Sequence, residues 1–353
     1  MKVWIWDFFL RAYVRVQWSY DLPMKFSVVI ATYNRAPDLT ETLNSLAQLE
    51  VGDEWEVIIV DNNSTDNTSE VVAEAGQNFP VPLRYLHEPE QGRSAALNAG
   101  IRAARGEIIA TTDDDVRVRR DWLKNAEIAL QDLDCDYLGG KALPIWGGDR
   151  PKWIPEGRSI HWAVIALLDY GPEPIPLGDY VPIGVNMVFS RSAFERAGLW
   201  DNTIGRKAGT LLGQEVREWC QRARAANLKG FYSPDLVIHH VIPGDRLTKK
   251  YFRRWFYWHG ISRAILYKTK GLDMESPEST VLNFATVPHI VGVPRYMFRT
   301  YLQSFVSMIG AIFRGNKVSA FENELGLWFF AGVLKERWKD RKEPVVTRGE
   351  MVN

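Results

Sequence analysis

The chain has 353 residues, of which 46% are hydrophobic and 24% are charged, which predicts one folded catalytic domain with an extension and excludes wholesale disorder. Its 43 basic and 43 acidic residues balance, so the total charge predicts no nucleic-acid partner. Cys135 and Cys220 form no CxxC pattern, which argues against a disulfide framework or a cysteine zinc site and favours a reducing, cytoplasmic setting.

Residues 1–23 form an aromatic-rich leader of uncertain status. Asp7, Arg11 and Arg15 interrupt its apolar residues, and no small-residue cleavage site follows, so the pattern is not that of a secretion signal. Because Met24 directly precedes the first predicted strand, the leader is either an interfacial helix or the product of a wrongly chosen start codon. No uncharged run in the chain reaches the roughly 18 to 20 apolar residues that a membrane span needs. The sequence therefore predicts a cytoplasmic protein, with peripheral contact at the inner face of the membrane as the alternative.

Four apolar runs rich in Val and Ile alternate with helical patterns, at residues 26–31, 57–60, 83–86 and 108–112. This rhythm predicts an α/β fold that is Rossmann-like, with a mostly parallel central sheet and helices on both faces. In such folds ligands bind beyond the carboxyl ends of the strands. We therefore expect a catalytic domain over residues 24–242, followed by a helical C-terminal extension over residues 243–353.

Three adjacent aspartates, Asp113, Asp114 and Asp115, follow the fourth predicted strand. Carboxylates this close repel one another, and a divalent cation in a cleft would compensate their charge. Oxygen ligands suit Mn²⁺ or Mg²⁺, and few protein ligands are needed when phosphate oxygens complete the shell. The alternative is an acidic loop that caps the next helix.

Polar side chains also follow other strands. Asp61, after the second strand, could accept hydrogen bonds from a ribose hydroxyl or a base edge, whereas residues 64–66 suit the start of a helix. Further on, Gly92 and Arg93 open a helix that contains Asn98, where backbone N–H groups and a cation could hold an anion. Arg93 and Asn98 are therefore candidate nucleotide-sugar contacts, although a solvated arginine is the alternative for Arg93.

The segments 27–35, 60–66 and 104–110 resemble the inverting family 2 glycosyltransferases of GT-A fold, and the aspartate run resembles the DxD motif of that family. The resemblance covers about residues 26 to 242. It implies that Asp113 contacts the ribose and that Asp115, with Asp113, holds the metal. It also implies a nucleotide-sugar site formed by Thr32, Tyr33, Asn34, Arg35, Asp61, Asn63, Asp113 and Asp114.

The same resemblance extends to the acceptor side of the cleft. Residues 184–189 resemble the strand beneath the acceptor, which makes Asn186 a candidate acceptor contact, with an ordinary core strand as the alternative. Residues 205–215 resemble the loop before the Glu-Asp motif that provides the catalytic base. Glu215 falls on the glutamate, but Val216 occupies the place of the aspartate. We therefore expect Glu215 to be the base, and Glu218 is the alternative unless it is an exposed residue that pairs with Arg222.

Residues 234–240 resemble the strand from which many GT-A enzymes supply a histidine metal ligand. On that resemblance His240 is a metal ligand or a diphosphate contact, and His239 is structural. A neutral imidazole beside carboxylate and phosphate oxygens suits Mn²⁺. Without the resemblance, both histidines would be ordinary residues at the end of a strand.

Two further segments have a distinct composition. Residues 144–182 are rich in Pro, Gly and Trp, which indicates a long loop that shapes a substrate cleft. Residues 241–270 contain eight Lys or Arg residues and one acid, Asp245, interleaved with aromatic residues. That segment predicts either contact with anionic lipid or a lipid-phosphate acceptor, or else a helix that packs its aromatic side chains on the core.

The sequence therefore predicts a metal-dependent inverting glycosyltransferase. It would move a sugar from a UDP- or GDP-sugar to a hydroxyl of a glycan or a lipid-linked acceptor, in polysaccharide or glycolipid assembly. Val216 motivates one alternative, a degenerate protein that binds a nucleotide sugar without turnover. The other is a sugar nucleotidyltransferase, which would need a glycine-rich triphosphate loop where residues 32–37 contain no glycine.

Overall fold

The computed structural model describes residues 24–52, 54–155, 160–178, 180–271 and 287–339, so the predicted leader lies outside the described residues. The strands are β1 Phe26–Thr32, β2 Trp55–Asp61, β3 Leu83–His87, β4 Ile108–Asp113, β5 Val116–Val118, β6 Tyr137–Trp146, β7 Ile175–Pro176, β8 Asn186–Ser190, β9 Gly230–Ile242, β10 His289–Ile290 and β11 Val293–Pro294. The helices are α1 Ala36–Leu46, α2 Thr68–Gly76, α3 Arg93–Ala103, α4 Trp122–Asp132, α5 Ile160–Val164, α6 Arg191–Ala197, α7 Glu215–Ala225, α8 Lys249–Lys270, α9 Arg295–Phe313 and α10 Lys317–Lys339.

The central sheet has the strand order β3-β2-β1-β4-β8-β6-β9-β5, and β7 pairs with β9. The first four strands in this order are parallel, as the alternation of apolar runs and helices predicts. Strand β8 runs antiparallel to both β4 and β6, whereas β6 and β9 are parallel. The predicted α/β fold is therefore confirmed, and the antiparallel β8 brings the residues before it to the carboxyl end of β4.

Alternate residues of the buried strands pack against different helix layers. Val28 and Ile30 of β1 contribute to a core that includes the inner faces of α1, α2 and α4. Val29, between them, belongs to a second core with α3, α6 and α7. Because successive side chains of a strand point to opposite faces, continuous apolar strands require this cover on both sides.

The C-terminal helices pack on the 144–182 segment through a third core. Phe252 and Phe256 of α8 are buried there together with Phe321 and Phe329 of α10 and Trp162 of the segment. For Phe252 and Phe256, the interpretation as a helix packed on the core is therefore the correct one. Among the residues that the structure describes, no helix combines the length and apolar character that crossing a membrane would require.

Two glycines set how closely α8 and α10 approach. A Cβ atom on Gly260 would overlap the carbonyl oxygen of Phe329, and one on Gly332 would overlap that of Tyr257. Each helix therefore presents a glycine to the backbone of the other. Only glycine allows this separation, so the crossing fixes His259 and Phe329, which line the cleft described next.

Candidate functional site

A cleft of about 1360 Å³ opens at the carboxyl ends of β1 and β4 and extends to the C-terminal helices. The strand register explains why residues distant in sequence meet there, because Ala31 pairs with Asp113 and Thr32 pairs with Asp61. The cleft exceeds the volume usual for one small ligand, so it has room for two substrates. The predicted residues that line it are Thr32, Tyr33, Arg35, Arg93, Asp113, Asp114, Asp115, Glu215 and His240.

The three aspartates point to three different sets of partners. Asp113 accepts hydrogen bonds from Arg93 Nε at 3.1 Å and Nη2 at 2.6 Å. Asp114 accepts one from Thr32 Oγ1 at 2.8 Å. Asp115 has one oxygen 3.1 Å from His240 Nε2, while its other oxygen contacts Arg35. The run is therefore not a simple helix cap, since each carboxylate serves a different part of the cleft.

Asp114 and Asp115 differ sharply in their affinity for protons. Burial and the neighbouring Asp115 raise the pKa of Asp114 to about 8. Burial would also raise the pKa of Asp115, but His240, Arg35 and Arg246 lower it well below its usual range. Asp115 is therefore the ionised member of the pair near neutral pH, which is the state that a cation or a cationic group requires.

His240 and Asp115 form a donor pair suited to a divalent ion. His240 is 1% exposed, and its Nδ1 lies 3.1 Å from the carbonyl oxygen of Ile165. A carbonyl can only accept, so Nδ1 carries the proton and the lone pair of a neutral ring lies on Nε2, facing Asp115. Two facing lone pairs repel unless a proton or a metal lies between them. A carboxylate and an imidazole are also the ligand types that Mn²⁺ accepts.

The number of protein ligands at this pair is small. No group of three or more His, Cys, Asp and Glu side chains in the described part of the chain has metal-binding geometry. Asp113, a predicted ligand, points instead to Arg93. The residues present thus fit an ion held by Asp115 and His240, with diphosphate and water oxygens supplying the remaining ligands.

Arg93 connects the aspartates with the candidate base. It stands at the start of α3, where it bonds Asp113 and donates to the carbonyl oxygen of Gly184 at 2.9 Å. Its Nη1 lies 3.5 Å from Glu215 Oε1, beyond a strong hydrogen bond. One planar guanidinium therefore contacts the strand that carries the aspartates and the helix that carries Glu215.

Glu215 begins α7, directly after Gln214, which adopts the left-handed conformation at φ 83°. This turn directs Glu215 into the cleft, where the residue is 9% exposed. Val216 also lines the cleft and lies next to Gly184. Where the family pattern has an aspartate, the wall therefore carries an apolar side chain.

Glu218 lies on another side of α7. Both of its oxygens accept from Arg222 at 2.8 Å, and Lys270 Nζ is 3.6 Å away. The expected pairing with Arg222 is present, but Glu218 is 1% exposed rather than a surface residue. It does not line the cleft, so the structure favours Glu215 over Glu218 as the group that meets a substrate.

Three predicted nucleotide contacts lie at the end of β2 or in the loops after β1 and β2, beside the cleft but not in its lining. Asp61 accepts from the Ser64 N–H and from the Tyr85 hydroxyl, each at 2.8 Å. Asn34, at φ 52°, accepts from the Thr65 N–H at 2.7 Å. Asn63 donates to the Pro89 carbonyl at 2.9 Å. These three residues hold the loops that frame the cleft, and their contacts with a nucleotide stay a prediction.

Two predicted contacts are corrected by the structure. Asn98 exchanges hydrogen bonds with the backbone of Trp200 at 2.8 and 2.9 Å and donates to Asn202. Asn186 is fully buried, accepts from Trp122 Nε1 and donates to the Lys141 and Leu236 carbonyls. Their amides are occupied inside the fold and line no part of the cleft, so both residues position the surrounding elements.

Three residues that line the cleft were not predicted from the sequence. Asn62 lines the cleft and accepts from the Gly92 N–H at 2.7 Å, and its place beside Asp61 is the signal that could have found it. Arg246 lies 3.7 Å from Asp115. His259 stacks on Trp255, and burial together with Arg263 and Arg217 lowers its pKa well below the usual value. Arg246 and His259 lie in the basic segment, which the sequence separates from the catalytic domain.

Comparison with known proteins agrees with this architecture. Residues 27–198 match the model of Glycosyl transferase family 2. A glucosyl-dolichyl phosphate glucuronosyltransferase of Haloferax volcanii is 24% identical over 253 residues, 69% of this chain and 77% of the relative. The succinoglycan biosynthesis protein ExoM of Rhizobium meliloti is 28% identical over 261 residues, 70% of this chain and 78% of the relative.

A solved structure extends the likeness to the whole fold. The mannosyltransferase PcManGT of Pyrobaculum calidifontis, in complex with GDP-Man and Mn²⁺, covers 94% of this chain and of its own, with a TM-score of 0.60 and 18% identity. The resemblance in sequence motifs and the predicted GT-A fold are thereby confirmed. The chain has the GT-A fold and is a glycosyltransferase whose residues 27–198 match family 2.

Proposed function

We propose that the chain is a metal-dependent inverting glycosyltransferase that uses a nucleotide sugar and a hydroxyl acceptor. The observation that carries the proposal is the single cleft into which β4 directs the aspartates and α7 directs Glu215, with Arg93 in contact with both. In this proposal the diphosphate site and the base lie on opposite sides of one space. Residues 24–242 would then form the catalytic domain, and the described helices of the 243–353 extension would complete the acceptor side.

The donor is assigned to the side formed by β1, β2 and β4. Asp113 and Tyr33 both line the cleft, and we assign them to the ribose and the base. Arg35 and Arg246, next to Asp115, provide positive charge for the diphosphate. A divalent ion bound by Asp115 and His240 would offset the negative charge that develops on the leaving diphosphate.

Glu215 is assigned as the base that accepts the proton of the acceptor hydroxyl. The other carboxylates near the donor are paired with Arg93, Thr32 or His240. Glu215 has Arg93 at 3.5 Å as its nearest described cation, which leaves its oxygens available to a hydroxyl. A single displacement needs one base and no enzyme nucleophile, and it inverts the anomeric carbon.

The acceptor is assigned to the end of the cleft at the C-terminal helices, as a glycan or a lipid-linked sugar. That end is lined by Trp255, Phe256, Tyr301 and Phe329, and aromatic faces suit sugar rings and apolar chains. The similarity to a glucosyl-dolichyl phosphate glucuronosyltransferase and to a succinoglycan biosynthesis protein supports polysaccharide or glycolipid assembly. In that role the protein would work at the cytoplasmic face of a membrane.

A transfer assay tests this proposal. Purified protein is incubated with UDP- and GDP-sugars and with glycan or lipid-linked acceptors, with Mn²⁺, with Mg²⁺ or with EDTA. We expect transfer that needs the ion, and a β-linked product from an α-linked donor when the linkage is read by NMR. Retention of configuration would refute the assignment of Glu215 as base, and full activity in EDTA would refute the metal.

Val216 supports a second candidate, a protein that binds a nucleotide sugar without turning it over. Its side chain lines the cleft beside Glu215 and cannot accept a proton. In this case a nucleotide sugar would raise the stability of the protein in a thermal shift assay, yet labelled donor would be neither transferred nor hydrolysed.

A further inference from the structure

Helix α9 exposes an unusually large apolar face. The six side chains that form it, here called the α9 face, are Leu302, Phe305, Val306, Ile309, Ile312 and Phe313. Phe313 is 87% exposed and Leu302 is 64% exposed. A contiguous apolar surface of this kind indicates a contact with another apolar phase.

The spacing of these residues places them on one side of the helix. They recur at intervals of three and four residues, which returns to the same side of an α-helix. The opposite side faces the protein, where Met297 and Ala311 are buried. Phe298 and Tyr301 meet Phe330 of α10 at ring distances of 5.2 and 4.6 Å. Helix α10 thus covers the first turns of α9, including Phe298, which lies one turn before Leu302 on the same side of the helix, and the α9 face is the exposed surface beyond this contact.

The charges around the α9 face favour anionic lipid over a second copy of the chain as its partner. Helix α9 contains Arg295 and Arg299 and no acidic residue, and Arg314 and Lys317 follow it directly. All four cations are exposed. A second copy of the chain placed face to face would bring like charges together, whereas anionic lipid headgroups would attract them.

We infer that the α9 face docks on a lipid bilayer that contains anionic headgroups, with the apolar side chains inserted at the level of the headgroups. A helix with this composition lies in the plane of the interface and does not cross the bilayer. Arg295 and Arg299 lie at one end of the face, and Arg314 and Lys317 lie at the other, so both ends can meet headgroups.

The α9 face lies close to the acceptor end of the cleft. Thr300 and Tyr301, on α9 itself, line the cleft. Docking through α9 therefore places the acceptor end of the cleft beside the bilayer, where a lipid-linked acceptor would be found. This last step rests on the proposed function, but binding to a bilayer does not.

Vesicle binding tests the inference. The full chain is sedimented with vesicles of phosphatidylcholine, alone or mixed with phosphatidylglycerol, without donor or acceptor. We expect the wild type to bind the mixed vesicles, and the variant Leu302→Gln/Val306→Gln/Phe313→Gln to bind about 100-fold more weakly, because each substitution removes apolar burial. Ile128→Gln, at an exposed isoleucine on α4, is the control and should bind as the wild type does.

A variant without two of the cations separates the electrostatic from the apolar contribution to vesicle binding. Arg295→Gln/Arg299→Gln should weaken binding to the mixed vesicles about 30-fold, at about a kcal/mol per cation, and leave binding to neutral vesicles unchanged. Circular dichroism and thermal unfolding verify that every variant is folded, which we expect because the substituted side chains are exposed.

Several results would overturn the inference. One is a wild type that binds neither kind of vesicle, and another is equal binding by the triple variant. A third is a dimer in sedimentation equilibrium that the triple variant dissociates while vesicle binding is unchanged. Transfer to a water-soluble acceptor, measured on the same variant, should equal that of the wild type, so a failure of the docking does not count against the transfer chemistry.

Discussion

Replacement of Glu215 by Gln removes the proposed base and keeps the shape of the side chain. A positioned general base contributes about 10² to 10⁴ in rate, so we expect kcat to fall by that factor, about 3 to 5 kcal/mol in the activation barrier. Folding should suffer little. The contact with Arg93 is 3.5 Å long, and Arg93 keeps its shorter bonds to Asp113. Loss of this contact together with the favourable charge at the start of α7 therefore costs about 1 kcal/mol.

Glu218→Gln is the matched control, one helical turn away on α7. Its carboxylate is almost fully buried between Arg222 and Lys270. Loss of its hydrogen bonds to the charged Arg222 costs about 1.5 to 3 kcal/mol of unfolding free energy, whereas kcat should remain within about twofold because the side chain does not reach the cleft. The two variants are thus expected to lose different properties, turnover for Glu215→Gln and stability for Glu218→Gln.

Both properties can be measured on the same preparations. Initial rates with saturating donor and acceptor give kcat, and urea unfolding gives the free energy of unfolding. Donor affinity should be unchanged in Glu218→Gln, whereas any change in Glu215→Gln would act through Arg93, which contacts both Glu215 and Asp113. If Glu218→Gln abolishes transfer while remaining folded, and Glu215→Gln transfers normally, the assignment of the base is wrong.

Three other predictions follow from burial, packing and charge. His161 is fully buried, neither ring nitrogen has a hydrogen-bond partner among the described residues, and burial lowers its pKa. Since the unfolded chain takes up this proton below about pH 6.5 and the folded chain does not, stability should fall by up to about 1.4 kcal/mol per pH unit as the pH drops below that value. His161→Phe should remove that slope in urea titrations at several pH values, and an unchanged slope would contradict the explanation. Gly332→Ala should destabilise the fold by about 3 kcal/mol because its Cβ meets the backbone of α8, whereas Gly326→Ala, in the same helix with its nearest contact at 3.6 Å, should be neutral or stabilising by up to about 1 kcal/mol. Equal unfolding midpoints for the two variants would refute this account of the crossing. Asp115→Asn should weaken Mn²⁺ binding in isothermal titration, at least about tenfold, and lower transfer to the level seen with EDTA; unaltered titration would place the ion elsewhere.

The local sequence pattern was sufficient to predict the strands and the polar side chains at their carboxyl ends. The apolar runs of β1, β2 and β4 place Thr32, Asp61 and Asp113 at one edge, because parallel strands share the direction of their carboxyl ends. The approach of Glu215 to that edge depended on resemblance, since no local periodicity relates residue 215 to residue 113. Cleft residues that directly follow a strand could thus be predicted from the local pattern, whereas those elsewhere in the chain could not.

The incorrect predictions concern polar side chains that could either line the cleft or form hydrogen bonds inside the fold. Asn98 and Asn186 are polar residues beside the cleft, and sequence does not reveal that their amides bond Trp200 and Leu236. Those partners are 102 and 50 residues away. Composition also did not predict which of the C-terminal helices exposes an apolar surface. The aromatic residues of α8 are largely used for packing, and the exposed apolar surface belongs to α9.

Arg93 has a consequence for how the two proposed substrates affect each other's binding. Its guanidinium is rigid and planar, and it meets Asp113 at one end and Glu215 at the other. If the proposed donor displaces Asp113, Arg93 connects that displacement to Glu215, and the donor and the acceptor would then affect each other's binding through one side chain. Such coupling is reciprocal: the factor by which the donor alters affinity for the acceptor equals the factor by which the acceptor alters affinity for the donor.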